Sequence, residues 1–182
     1  MSSISVGTPA LRVSFEKRDD RYIHQVSRHF PNGTGGLLIS HESKPDDPWP
    51  TSPALQSLHL ETQPGKGQIA MLVGMAGRSH WSMTVEVDAT QNALLFDVAC
   101  RVHESPLWLG STYHGLNQQG AAWPLDYLSL SAWEGNASEK QILIQFDRRS
   151  GNVRIPAPSA IGSFPQTIRW RYAIALTQQL PA

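Results

Sequence analysis

The amino-acid sequence predicts an all-β protein: an antiparallel β-sandwich or a partly closed β-barrel of about ten strands, with little helix. Apolar and polar residues alternate in many short segments, which is the period of a strand with one buried face. Turn-forming residues separate these segments at regular intervals, as in sandwiches and barrels. No linker or internal repeat divides the chain, so we expect residues 1–182 to form a single β domain.

The clearest element is a long β-hairpin over residues 80–103. Every second residue of each strand is apolar: Trp81, Met83, Val85 and Val87 in the first, and Leu94, Phe96, Val98 and Cys100 in the second. The small, polar segment Ala89–Asn92 suits a four-residue loop. If Asp88 pairs with Ala93, every apolar residue faces an apolar partner, so the pattern predicts the register.

The polar face of this hairpin carries the candidate catalytic residues. In the predicted register His80 faces Arg101 and Thr84 faces Asp97, while His103 follows on the same face. His80 or His103 could act as general acid or base, Asp97 could orient it, and Arg101 could hold an anionic or polarised oxygen. The same pattern is also typical of a solvated sheet face with a few cross-strand contacts, so both interpretations stay open.

A second hairpin is predicted near the N-terminus, with its turn at Asp19–Asp20. In this register Phe15 faces His24, so His24 lies on the apolar face and is expected to be a hydrogen-bonded core residue. The glycine-rich segment 32–36 follows. It lacks the helix N-terminus that a phosphate-binding loop needs, and it is predicted to be a turn.

The longest loop is expected over residues 41–53, because its prolines and aspartates exclude regular structure. We expect this loop to be exposed and its Trp49 to be a lid or ligand-stacking residue, although tryptophans also plug sheet edges. Trp123, in a second polar loop, is a further stacking candidate. The predicted ligand-binding residues are therefore Trp49, Arg101 and Trp123. Ser52–Leu55 could open one helical turn.

Several strands are expected in the remaining chain. Ile69–Val73 is continuously apolar and predicts a strand buried on both faces. The last strand, over residues 167–176, alternates clearly, with its aromatic residues in the core and Arg169 and Arg171 on the other face. These arginines could meet carboxylates or a ligand anion, but a solvated face is the more frequent reason for two arginines at this spacing. Other strands are predicted at residues 107–113, 127–133 and 141–146.

Composition excludes several classes of partner. Lys+Arg and Asp+Glu number 15 each, so no net field attracts nucleic acid or an anionic membrane. We see no signal peptide and no apolar run of membrane-spanning length. The single cysteine, Cys100, cannot form an internal disulfide and falls on an apolar strand face, where a buried thiol is expected. We predict a cytoplasmic protein without nucleic-acid or membrane partners.

No motif in the chain indicates a cofactor or a metal. Cys-X-X-Cys pairs, His-rich runs and nucleophile signatures are missing, and we expect neither group. Dispersed side chains could still converge on a metal, and these are His59, Glu61, His80, His103 and His114.

Three functions remain open from the sequence. The first is binding of a small polar ligand, such as a carbohydrate, by aromatic and hydrogen-bonding side chains. The second is a cofactor-independent hydrolase, isomerase or lyase that uses His and Asp as acid/base groups. The third is a structural domain that forms a homo-oligomer, because the apolar strand content around Ile69–Ala76 exceeds what one small sandwich needs.

Overall fold

The computed structural model describes residues 4–30, 33–65, 67–116, 127–133, 143–147 and 149–177. Within these ranges the chain forms thirteen β-strands and no helix. The all-β prediction is confirmed, and the strands outnumber the ten that were expected. The strands are β1 (Ile4–Gly7), β2 (Leu11–Arg18), β3 (Arg21–Phe30), β4 (Gly33–Ser40), β5 (Ser57–Gln63), β6 (Gly67–Ala76), β7 (Ser79–Asp88), β8 (Ala93–Val102), β9 (Gly110–Gly115), β10 (Leu128–Ala132), β11 (Gln145–Asp147), β12 (Asn152–Pro156) and β13 (Gln166–Leu176).

The strands form two antiparallel sheets. One has seven strands in the order β1-β2-β3-β4-β9-β12-β11, and the other has six in the order β10-β13-β8-β7-β6-β5. Side chains from both sheets form one buried apolar core. The architecture is therefore a sandwich and not a closed barrel.

The register predicted for the central hairpin is confirmed. Strands β7 and β8 pair Asp88 with Ala93, and the pairing continues to His80 with Arg101. The apolar side chains of both strands are buried towards the core. The N-terminal hairpin also closes at Asp19–Asp20 and pairs Phe15 with His24, as its alternation predicted. Period-two patterning set both registers, because a slip by one residue would expose every apolar side chain.

Buried hydroxyl and imidazole groups link the two sheets through the core. The His24 Nε2 atom lies 2.9 Å from the Tyr113 hydroxyl on β9. That hydroxyl lies 2.6 Å from the Tyr172 hydroxyl on β13. All three side chains are buried. The prediction that His24 is a hydrogen-bonded core residue is therefore confirmed.

Two local predictions before residue 60 are wrong. The glycine-rich segment is not a turn, because Gly33–Ser40 forms strand β4. A Cβ at Gly36 would lie 2.5 Å from the side-chain amide nitrogen of Gln25, so a larger residue there would require that side chain to move. Ser52–Leu55 forms no helical turn. The Ser52 hydroxyl instead donates to the Thr112 carbonyl oxygen at 2.8 Å and so ties this segment to β9.

Two strand predictions after residue 60 need correction. Ile69–Val73 is not buried on both faces, because Val73 is 55% exposed on the side that points away from the core. The strand predicted to begin at Leu107 begins at Gly110 instead, and Leu107 is an exposed loop residue. Of the strand predicted at residues 141–146, the described part that forms a strand is Gln145–Asp147, and residues 141 and 142 lie outside the described residues.

Candidate functional site

The structure brings together only part of the catalytic set that the sequence predicts. His80 and Arg101 are paired residues on the outer face of the six-stranded sheet, the face that points away from the core. His103 follows β8 at the same end of the sheet, and its ring centroid lies 6.2 Å from that of His80. These three residues form an open polar cluster at one end of a sheet face.

Asp97 lies apart from this cluster. It is paired with Thr84, four residues along the strand from the His80–Arg101 pair, which is about 13 Å. Its carboxylate accepts hydrogen bonds from Arg169 and from Arg171, whose Nε lies 3.0 Å from Oδ2. Of the alternatives left open for the two arginines of β13, contact with a carboxylate is the one that the structure shows. Asp97 therefore stabilises the pairing of β8 with β13 and does not orient either histidine.

Trp49, which was predicted as a lid or stacking residue, does not form a lid. Residues 41–48 of its loop are exposed or half-buried, as predicted, but Trp49 is 8% exposed and belongs to the hydrophobic core. Of the two roles left open for this tryptophan, packing is the correct one and the stacking role is wrong. The Asp47 carboxylate accepts the Trp49 backbone N–H at 2.9 Å and fixes the local turn, while the indole packs against core residues that are distant in sequence. Trp123 lies outside the described residues.

The dispersed histidines and Glu61 do not assemble a metal site. In the part of the chain that the structure describes, no three side chains of His, Cys, Asp or Glu lie close enough together to hold a metal ion. His59 and Glu61 lie on β5 at the edge of the six-stranded sheet, whereas His114 lies on β9 in the other sheet.

A different place collects polar side chains around a concave surface. A cleft of about 400 Å³ lies on the face of the seven-stranded sheet that points away from the core, at the turn between β2 and β3. We call it the Arg21–Glu42 cleft. Its lining residues are Arg18, Asp19, Asp20, Arg21, Ile23, Ile39, Ser40, His41, Glu42, Ser43, Pro45 and His114.

Three segments that are distant in sequence build this cleft. The tight turn after β2 places Asp20 and Arg21, and Asp19 adopts a φ of 52° to make that turn. The loop after β4 then crosses over β3, and its Pro45 carbonyl accepts a hydrogen bond from the Arg21 guanidinium. His114 closes the cleft from β9, where it pairs with Ile39 of β4.

Arg21 is the unusual residue of the cleft. It is 4% exposed, and its Nε lies 3.6 Å from the Asp20 carboxylate. Its Nη2 donates to Pro45, but Nε and Nη1 are buried without a hydrogen-bond partner among the described residues. Buried arginine N–H groups normally have hydrogen-bond partners. A buried donor without one costs about 1–3 kcal/mol, and the cost is higher when the group is charged.

Glu42 is the second ionisable residue of interest in the cleft, and it is half-buried. Its Oε1 accepts a hydrogen bond from the Ser40 hydroxyl at 2.7 Å, whereas Oε2 is buried with no partner among the described residues. Burial raises the pKa of Glu42, and the Ser40 hydrogen bond and the charge of Arg21 partly oppose this effect. Ser40 also accepts the His24 backbone N–H at 3.1 Å, so the Ser40 hydroxyl links this carboxyl group to the backbone of β3.

The cleft has no excess of positive charge. Two arginines line it, against three carboxyl groups from Asp19, Asp20 and Glu42. Both arginines are already beside carboxylates, Arg18 with Glu16 at 3.1 Å and Arg21 with Asp20. Such a site offers hydrogen-bond donors and acceptors in a small volume, without the net cation that binds phosphate or carboxylate ligands.

The sequence did not predict Arg21, Ser40 or Glu42 as site residues. The alternation of β3 and β4 contained a signal for a covered surface. Ile23 and Ile39 are apolar but lie on the sheet face opposite the core residues Val26 and Leu38. Apolar residues on a sheet face that points away from the core indicate that another segment of the chain covers them. The alternation of β3 and β4 alone does not show which segment does so.

Comparison of the chain with protein-family models, with curated proteins and with solved structures finds no significant match. In the described residues, no helix has the length and apolar character needed to cross a membrane. The function therefore has to be argued from the cleft itself.

Proposed function

We propose that this chain binds a small, neutral, hydroxyl-rich ligand, such as a carbohydrate, in the Arg21–Glu42 cleft. The observation that carries the proposal is the set of unsatisfied atoms at this cleft: Nε and Nη1 of Arg21 and Oε2 of Glu42. A pair of neighbouring hydroxyl groups can accept from a guanidinium and donate to a carboxyl group. One ligand can therefore supply hydrogen-bond partners to both the guanidinium and the carboxyl group.

The charges of the cleft favour a neutral ligand over an acid. A carboxylate or phosphate would have to approach Asp19, Asp20 and Glu42 while the nearby arginines already lie beside carboxylates. Like charges in a confined site repel, whereas hydroxyl groups meet both donors and acceptors without this cost. The volume of about 400 Å³ is in the range of small-ligand sites.

Ligand entry requires a small movement of the rim. The unsatisfied atoms are out of contact with solvent, so a ligand must displace side chains above them. His41 is exposed, and the Asp20 side chain is 46% exposed, so these two are free to move at low cost. A bound hydroxyl would then take the place of the contacts that the rim makes.

The test is thermal unfolding of the full chain against neutral sugars, polyols, sugar acids and divalent metals, with a chelator as control. At a hundredfold excess over its dissociation constant, a ligand adds about 2.7 kcal/mol. This corresponds to roughly 5–10 °C in Tm for a chain of this length. We expect a neutral sugar or polyol to raise Tm and the sugar acids to have a smaller effect.

Two matched variants locate the site. Glu42→Gln keeps the shape of the side chain but replaces an acceptor by a donor, and we expect it to abolish the shift. Glu104→Gln, an exposed residue outside the cleft, should keep the full shift. A panel without any shift, or a shift that survives Glu42→Gln, would refute the proposal and leave an internal water as the partner of these atoms.

An acid/base enzyme is the second candidate at the same cleft. Asp20 is exposed, whereas Glu42 is half-buried and desolvation raises its pKa, and two carboxyl groups in unlike environments are a common acid/base pair. Its test is turnover of the ligand that raises Tm, with Asp20→Asn as the variant that should stop turnover and keep binding. Binding without turnover would leave the first proposal alone. A cytoplasmic location and the lack of nucleic-acid partners stay predictions from composition.

A further inference from the structure

The outer face of the six-stranded sheet carries an exposed apolar stripe. It consists of Met71, Val73 and Met75, every second residue of β6, which we call the β6 stripe. Val73 is 55% exposed and Met75 is 46% exposed, whereas Met71 is half-buried. The neighbouring positions on this face, Ser82 and Ala99, are small, so the stripe stands beside a flat floor. Contiguous exposed apolar groups with a polar rim are typical of an interface.

Charges are arranged diagonally on either side of this stripe. Arg101 lies on β8 in the row of His80, at one end of the face. Glu61 lies on β5, paired with Ile69, at the other end. The two positions are three strands and six residues apart. On an ideal sheet lattice this separation is about 25 Å, and its midpoint falls beside Val73 and Met71.

We propose that a second copy of this chain covers the outer face of the six-stranded sheet. The two copies are related by a two-fold axis that lies in the plane between the two faces and passes over the β6 stripe. Such an axis stacks Val73 on the same residue of the partner. It also places Arg101 of each copy over Glu61 of the other, so the same ion pair forms twice. A two-fold interface requires this kind of self-complementary pattern.

The remaining charges of the face are compatible with this arrangement. Asp97 also falls close to the axis, and its carboxylate is bound by Arg169 and Arg171 of its own chain, so the two copies do not oppose bare carboxylates. The same rotation brings Arg169 towards Glu86 of the partner, which adds a contact between opposite charges.

The area of the face matches what a stable dimer needs. Six strands at about 4.8 Å spacing and ten residues at about 3.4 Å each give a face on the order of 1,000 Å². A standard protein interface buries about 800 Å² per partner. Burial of the β6 stripe would supply the apolar centre, and the charged residues would form the rim.

The experiment is sedimentation velocity of the full chain over a range of concentrations. We expect a species of twice the 20.1 kDa chain mass. Val73→Lys should shift it to a single chain. The matched control Leu107→Lys, at an apolar residue that is 89% exposed elsewhere, should leave it unchanged. A single-chain mass for the wild type at all concentrations, or a dimer that persists in Val73→Lys, would overturn the proposal.

A charge exchange tests the geometry without depending on the fold of one variant. In Arg101→Glu the new carboxylate of each copy faces Glu61 of the other copy, so two pairs of like charges form. In Glu61→Arg the new guanidinium of each copy faces Arg101 of the other copy, with the same result. Each single variant should raise the dissociation constant of the dimer by about tenfold or more, since like charges across an interface repel. The double variant should restore the wild-type value. Failure of the double variant to recover would exclude the proposed axis.

Discussion

The buried imidazole of His24 makes the stability of this protein depend on pH. Three aromatic rings surround it, with the Phe15, Phe96 and Tyr113 centroids 6.1, 6.0 and 5.3 Å away. Its Nε2 has the Tyr113 hydroxyl as a partner, but Nδ1 has none among the described residues. A protonated ring must donate from both nitrogens, so burial lowers the pKa of His24 from 6.5 to about 4.

The direction of the effect follows from proton binding. Between pH 6.5 and 4 the unfolded chain has taken up a proton at His24, whereas the folded chain has not. The unfolded state therefore binds more protons, and stability that is complete above pH 6.5 is lost as the pH falls towards 4. At about 1.4 kcal/mol per pKa unit, the loss approaches about 3 kcal/mol, of which about 2 kcal/mol falls between pH 7 and pH 5.

The assay is urea unfolding of the wild type and of His24→Phe at a series of pH values. The difference between the two isolates His24. This matters because the raised pKa of Glu42 acts in the opposite direction and gains stability as the pH falls. The wild type should lose about 2 kcal/mol more than His24→Phe between pH 7 and pH 5. His59→Asn, at an exposed histidine, should behave as the wild type. Equal slopes for the wild type and His24→Phe would refute the reasoning.

Three further predictions use the same unfolding measurement. Trp170→Ala should cost about 3–5 kcal/mol because the indole is 1% exposed in the core; a loss below about 1 kcal/mol would show that the sheets repack. Asp97→Asn should cost about 1–2 kcal/mol because both arginines of β13 lose a carboxylate, while the exposed Arg101→Ala should stay within about 0.5 kcal/mol. A larger loss of stability in Arg101→Ala than in Asp97→Asn would show that Arg101 has a structural role. Gly74→Ala should cost at least about 2 kcal/mol, because the new Cβ would lie 2.1 Å from the Ala54 carbonyl oxygen, and wild-type stability would mean that this segment shifts.

Strand periodicity predicted the registers of both long hairpins, but it did not identify a site. The polar face of β7 and β8 was recognised residue by residue, down to the pairing of Thr84 with Asp97. The function suggested for that face used Asp97 to orient a histidine, although the predicted register already separates the two positions along the strand, so one site could hold only part of the set. The carboxylate is instead bound by β13, a strand 72 residues away from it in sequence. Alternation indicates which side chains share a face of one hairpin, but it contains no information on which strand lies next to that hairpin.

The loop after β4 shows the same limit at the cleft. Its composition predicted irregular structure, and this is confirmed. The burial of Trp49 was not predicted, and neither was the crossing of the loop over β3. Both depend on contacts between side chains that are far apart in the chain. Short polar motifs such as Asp47 with the Trp49 N–H can be recognised locally, but the surface on which the loop packs cannot.

The sequence alone determined the fold class, the two hairpin registers and the burial of His24 and Cys100, because each depends on a period-two pattern that a slip would destroy. Only the tertiary structure decided the strand order, the capture of Asp97 by β13 and the meeting of Arg21 with Glu42. Those features arise where segments that are distant in sequence pack together. Packing of this kind depends on three-dimensional shape and on the satisfaction of buried polar groups, which no local pattern of residues specifies.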